Sequence, residues 1–103
     1  MDLDRLCAAV NPDRIRELTY ALVSIPSPTR QARACTEFYA AHLRSLGLDV
    51  RLEFGHLPDY PSAVARLRGG DRPTVQFDGH TDHVPLDHPG PELLDDQIGR
   101  AHV

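Results

Sequence analysis

The 103-residue sequence predicts an α/β fold on three observations. Two stretches with apolar residues at three-to-four spacing come first, and stretches of period-two alternation follow. Clusters of proline and glycine punctuate the boundaries between them. The expected architecture is two helices and then about three strands of a mixed sheet, a layer of helices on a layer of strands.

The first helix opens at Asn11-Pro12-Asp13, with a side-chain cap, a proline at the first helical position and an acid near the positive end of the helix dipole. Ile15, Leu18, Leu22 and Ile25 mark its buried face. Ile25-Pro26-Ser27-Pro28 ends it, because two prolines in three residues cannot go on donating backbone hydrogen bonds. Ser27 or Thr29 then caps a second helix running to about Leu46. Its inner face is Cys35, Phe38, Tyr39, His42 and Leu43, and Gly47 serves as its left-handed C-terminal residue. From there the period changes. Residues 48–54 alternate as a strand with one wet face, 55–61 form a loop, 62–68 a weaker strand, and 69–73 a turn. Residues 74–78 alternate again, as a third strand leading directly into Gly79-His80.

Composition narrows the function classes. Lys plus Arg total 11 against 15 acids, for a net charge of −4, so a nucleic-acid surface is not indicated. Residues 1–70 carry nine arginines against eight acids and residues 71–103 carry two against seven, which places the acidic excess in the last third. No apolar run approaches the length of a membrane span, and the acidic start Met1-Asp2-Leu3-Asp4 is unlike a signal peptide. Cys7 and Cys35 form no CxxC pair and read as reduced, buried thiols, consistent with a cytoplasmic protein.

Chemistry concentrates in Phe77-Asp78-Gly79-His80-Thr81-Asp82-His83-Val84-Pro85. A histidine leaving a strand end is well placed to ligate a cation, and neutral imidazole is a good zinc ligand. Asp82, two residues on, projects to the same side in extended backbone and can accept the other ring N–H, fixing the tautomer. Gly79 removes a side chain where the strand bends into the site. An isolated His-x-Asp triplet is more often a polar surface turn, so the motif alone is weak. His83 reads as a second ligand, a group behind the ligand or, preferably, a loop residue. His42 and His56 read as structural or exposed, and His88 has no assignable partner.

Over a longer span, Leu22-Val23-Ser24-Ile25-Pro26-Ser27 followed by a helix ending Leu46-Gly47-Leu48, an alternating strand and FDGHTDHVP resembles the M20 family of metallopeptidases and deacylases. The likeness covers roughly residues 11–86, and its specific part is the family's first metal motif, GHxDxVP. His83 stands where the family more often has an aliphatic residue. The resemblance implies a zinc-exopeptidase-like catalytic domain of which 1–96 is the N-terminal portion, with His80 a ligand to one ion of a two-zinc site and Co²⁺ or Mn²⁺ as substitutes. It implies that Asp82 is the catalytic acid that orients His80. It further implies hydrolysis of an amide in an N-acyl amino acid or small peptide by metal-activated water, and a possible homodimer. The bridging aspartate, the Glu-Glu pair and the remaining ligands of that family have no counterpart here, so the chain by itself is expected to be inactive.

Residues 97–103, Gln97-Ile98-Gly99-Arg100-Ala101-His102-Val103, match the in-frame translation of a common short-read sequencing adapter, which predicts a non-native tail. The competing reading is a poor echo of the family's Gly-Arg-Gly-Ala element. Two other functions stay open. One is a metallo-β-lactamase-like hydrolase, whose HxHxDH motif residues 78–83 approach, with Asp78 in place of the first histidine and His83 as a ligand. The other is a non-catalytic α/β interaction module.

Overall fold

The computed structural model describes residues 2–85. Its order is α1 (Leu3–Ala9), α2 (Pro12–Val23), α3 (Arg33–Ser45), β1 (Asp49–Glu53) and β2 (Ser62–Arg66). The α/β class holds, with three helices instead of two and two strands instead of three among the described residues. The tail at 97–103 and His88 lie outside the described residues.

α2 begins as its sequence dictates. The Asn11 side chain accepts from the amides of Asp13 and Arg14 at 3.1 and 3.3 Å, and Pro12 occupies the first helical position. The helix stops at Val23, before the proline pair. α1 was not expected from its apolar spacing. Asp2 caps it by accepting from the Arg5 amide at 3.2 Å, and none of its residues is buried. Cys7, on α1, is therefore exposed, which corrects the expectation of two buried thiols; Cys35 is buried, and both are free.

α3 departs from expectation at its start. It begins at Arg33 after Ala32, with no side-chain cap. Neither Ser27 nor Thr29 caps it, because the helix starts beyond them, after a bridge to a distant segment and a turn. The Ser27 and Thr29 amides donate to Nε2 and the backbone oxygen of His83, at 3.2 and 3.0 Å. Arg30 then turns the chain at φ +73. The end of α3 follows the sequence. Gly47, at φ +87, donates to the Arg44 oxygen at 2.9 Å while Leu48 donates to the Leu43 oxygen at 3.3 Å, the paired bonds of a Schellman motif.

β1 and β2 pair antiparallel with Val50 opposite Ala65 and Leu52 opposite Ala63, which puts these four side chains on one face. α3 packs against both strands. The close approach rests on small residues: Ala32, Cys35, Thr36 and Ala40 are buried, whereas Phe38, expected on the inner face, is 39% exposed. The most buried face of α3 is thus turned from Phe38 toward Thr36 and Ala40. Tyr39, His42 and Leu43 are half-buried, with the Tyr39 and His42 rings stacked at 6.5 Å.

The third expected strand does not form among the described residues. Residues 74–78 pair with no neighbour, and Val75 and Phe77 are 75% and 92% exposed. Alternation marks a segment fit to lie on a sheet, but a strand exists only where a second backbone takes up its donors and acceptors. No helix of the described residues is long and apolar enough to cross a membrane.

Candidate functional site

The segment carrying His80 and Asp82 follows irregular backbone rather than a strand end. Four tertiary contacts hold it. The backbone of His83 forms a parallel bridge with Pro28, in which His83 N–H donates to the Ser27 oxygen at 2.9 Å and Thr29 N–H donates to the His83 oxygen at 3.0 Å. The His83 ring adds a third bond, with Nε2 accepting from the Ser27 amide. The hydroxyls of Thr36 on α3 and Thr81 lie 3.0 Å apart. The fourth contact comes from the β1–β2 loop, where the Tyr60 hydroxyl donates to Asp82 Oδ2 at 2.7 Å.

That loop is itself anchored. Arg33 stacks over the Phe54 ring at 5.0 Å, pairs with Glu37 at 2.8 Å and donates to the Pro58 oxygen at 3.2 Å. Turns follow, from Leu57 N–H to the Phe54 oxygen and from Tyr60 N–H to the Leu57 oxygen. Buried Pro61 precedes β2. The start of α3 thereby fixes where Tyr60 stands, and Tyr60 reaches Asp82.

The two residues singled out in the sequence are brought together. His80 Nδ1 lies 3.1 Å from Asp82 Oδ1 and 2.9 Å from the Asp82 backbone oxygen. Both neighbours are acceptors, so the ring proton is assigned to Nδ1 and the lone pair to Nε2. Nε2 makes no hydrogen bond among the described residues. The His80 side chain is 83% exposed and that of Asp82 18%, so the carboxylate is sheltered while the imidazole stands open. The Tyr60 hydroxyl holds the Asp82 carboxyl below the usual carboxylate range, with Thr29 and His80 acting in the same sense against partial desolvation. The same bond to Asp82, with desolvation and the carboxylate charge, pushes the Tyr60 phenol up.

His83 takes a different role from His80. Its Nε2 accepts from Ser27 and its Nδ1 lies 2.7 Å from the Val84 oxygen, so both nitrogens are engaged with backbone and neither is presented to a cation. Gly79 is not required by crowding, since a Cβ there would meet nothing within 4 Å. Among the described residues no group of three or more His, Cys, Asp or Glu gathers as a cation site. His80 with Asp82 therefore fits one arm of a metal centre and not a whole one. Sequence reasoning missed Tyr60, Thr36 and the partnership of His83 with Ser27. None has a local signal, because the partners lie 22 to 56 residues apart.

Comparison with known proteins gives sequence relatives. The succinyl-diaminopimelate desuccinylase of Alkalilimnicola ehrlichii is 39% identical over 77 residues, which are 74% of this chain and 19% of that protein. The enzyme of the same name from Vesicomyosocius okutanii is 36% identical over 70 residues, 67% of this chain and 18% of its own length. That from Hahella chejuensis is 38% identical over 77 residues, 74% of this chain and 18% of its own length. The chain spans about a fifth of the length of the curated relatives it matches. No protein-family model and no solved structure matches it.

Proposed function

This chain is a relative of the M20-family deacylases, similar to succinyl-diaminopimelate desuccinylases over 67% to 74% of its own length, and from that premise we propose that it is part of the catalytic domain of a metal-dependent amidohydrolase. The whole protein would hydrolyse the amide of an N-acyl amino acid or small peptide, and the names of the relatives favour a succinylated one. In this reading His80 is a metal ligand through Nε2, and Asp82 is the acid behind it. Zinc bound there would supply Lewis acidity toward a carbonyl and an acidified water. The part played by this chain is preparatory. Asp82 fixes the His80 tautomer, raises the basicity of Nε2 and keeps the ring from turning.

The observation that carries the reading is the division of the His80 ring, with Nδ1 held against Asp82 and Nε2 left open. The reading with His83 as a ligand is disfavoured by the engagement of both its nitrogens. Structural or catalytic zinc takes three or four protein ligands, so a chain offering one is expected to bind weakly and to lack turnover alone. The test is a Zn²⁺ titration of the chain followed at the histidine ring nitrogens by NMR. Zinc is expected to perturb His80 Nε2 first, and His80→Ala to remove the saturable effect. Zinc binding that survives His80→Ala undiminished overturns the proposal.

A further inference from the structure

Tyr60 lies outside the motif and belongs to a loop between strands, yet its hydroxyl comes within 2.7 Å of Asp82. The two carboxylate oxygens meet different rings. His80 takes Oδ1 at 3.1 Å, and Tyr60 takes Oδ2. An aspartate held at one oxygen alone can rotate about its terminal torsion, and a rotated carboxylate releases the imidazole. With both oxygens occupied the plane is fixed, and the ring that leans on it is fixed too.

We propose that Tyr60 is a positioning residue of this site: by donating its hydroxyl hydrogen to Asp82 Oδ2 it reserves Oδ1 for His80 and keeps the outer ring nitrogen turned outward. The ligand role of His80 is taken from the proposed function, but the orienting effect is a property of the chain without metal. Occupation of Oδ2 also keeps Asp82 from swinging round to compete with His80 for a cation. Arg33, through Phe54 and Pro58, is what brings the loop close enough for a tyrosine to reach.

The test is Tyr60→Phe in the full 103-residue chain, which removes one oxygen and keeps the ring. The ring ¹⁵N shifts of His80 are read without metal in mildly alkaline buffer. The parent chain is expected to show a dominant Nδ1–H tautomer. Because the Asp82 backbone oxygen, 2.9 Å from Nδ1, is untouched by the substitution, the variant should show the two shifts moving part of the way toward the average of an unanchored ring, with His83 unchanged as an internal control. Zn²⁺ alone is then titrated, and an affinity about tenfold weaker than in the parent is expected, the lower end for loss of an outer hydrogen bond. An unchanged tautomer in a folded Tyr60→Phe chain overturns the proposal. Should that variant unfold, the parent decides: contacts between the Tyr60 ring edge and the Asp82 methylene must appear in NOE spectra, and their absence overturns it equally. If the tautomer shifts but His80→Ala leaves zinc binding intact, the metal-site reading fails while the positioning role stands.

Discussion

His83→Ala separates a structural histidine from a ligand, and its size follows from the geometry. The ring accepts the Ser27 amide at 3.2 Å, and Ser27 is 2% exposed. Truncation leaves that N–H without its partner, at a cost of about 1–3 kcal/mol for a buried group. His83 itself lies at the surface, so water can enter the space it vacates, and the lower end applies. About 1 kcal/mol corresponds to roughly a fivefold change in an opening equilibrium. The two backbone bonds of the bridge, His83 N–H to Ser27 and Thr29 N–H to His83, do not depend on the side chain. The effect should therefore be local. Amide hydrogen exchange is expected to quicken about fivefold at Ser27 and much less at Thr29, with Zn²⁺ affinity unchanged. Unaltered exchange at Ser27 together with a tenfold loss of zinc affinity would refute the reasoning and return His83 to the ligand set.

Three further outcomes are expected. Gly47→Ala places a side chain at φ +87, where a Cβ meets nothing within 4 Å, so the cost is conformational: about 1–2 kcal/mol for a left-handed L-residue, less about 0.4–1 kcal/mol from a stiffer unfolded chain. Denaturant unfolding should show a net loss near 1 kcal/mol, with Gly47→Asn milder, and a neutral alanine would contradict the helix-end geometry. Ser27 Oγ is buried with no hydrogen-bond partner among the described residues, so Ser27→Ala should leave the melting temperature unchanged or raise it. A clear fall would reveal a partner, such as a bound water. The Tyr60–Asp82 contact should persist across a plateau of pH. Because the Asp82 pKa is lowered on folding, its contribution is present above the ordinary carboxyl value of about 4 and is lost as pH falls through the lowered one; because that of Tyr60 is raised, its share is present below about 10 and is lost as pH rises through the raised value. Tyr60 ring shifts followed against pH check this, and a phenol titrating below 10 would contradict the hydrogen bond.

What the sequence decided by itself was local. Asn11-Pro12 started α2, Pro26 and Pro28 limited it, Gly47 closed α3, and the alternation of 48–54 made β1, because each of these signals acts within one or two turns of chain. The nearness of His80 and Asp82 was legible for the same reason, being two residues apart. Tertiary structure decided the rest. Ser27 and Thr29 are good capping residues, but the chain through them is taken up by the bridge to His83 and the turn at Arg30, so α3 began later and uncapped. Residues 74–78 have the pattern of a strand and no backbone beside them to pair with among the described residues. Tyr60 meets Asp82 from a loop that Arg33 holds at Pro58, a contact across 22 residues of sequence. In each case the deciding hydrogen bond or packing contact joins residues distant in sequence, and a local pattern carries no information about which distant partner will arrive.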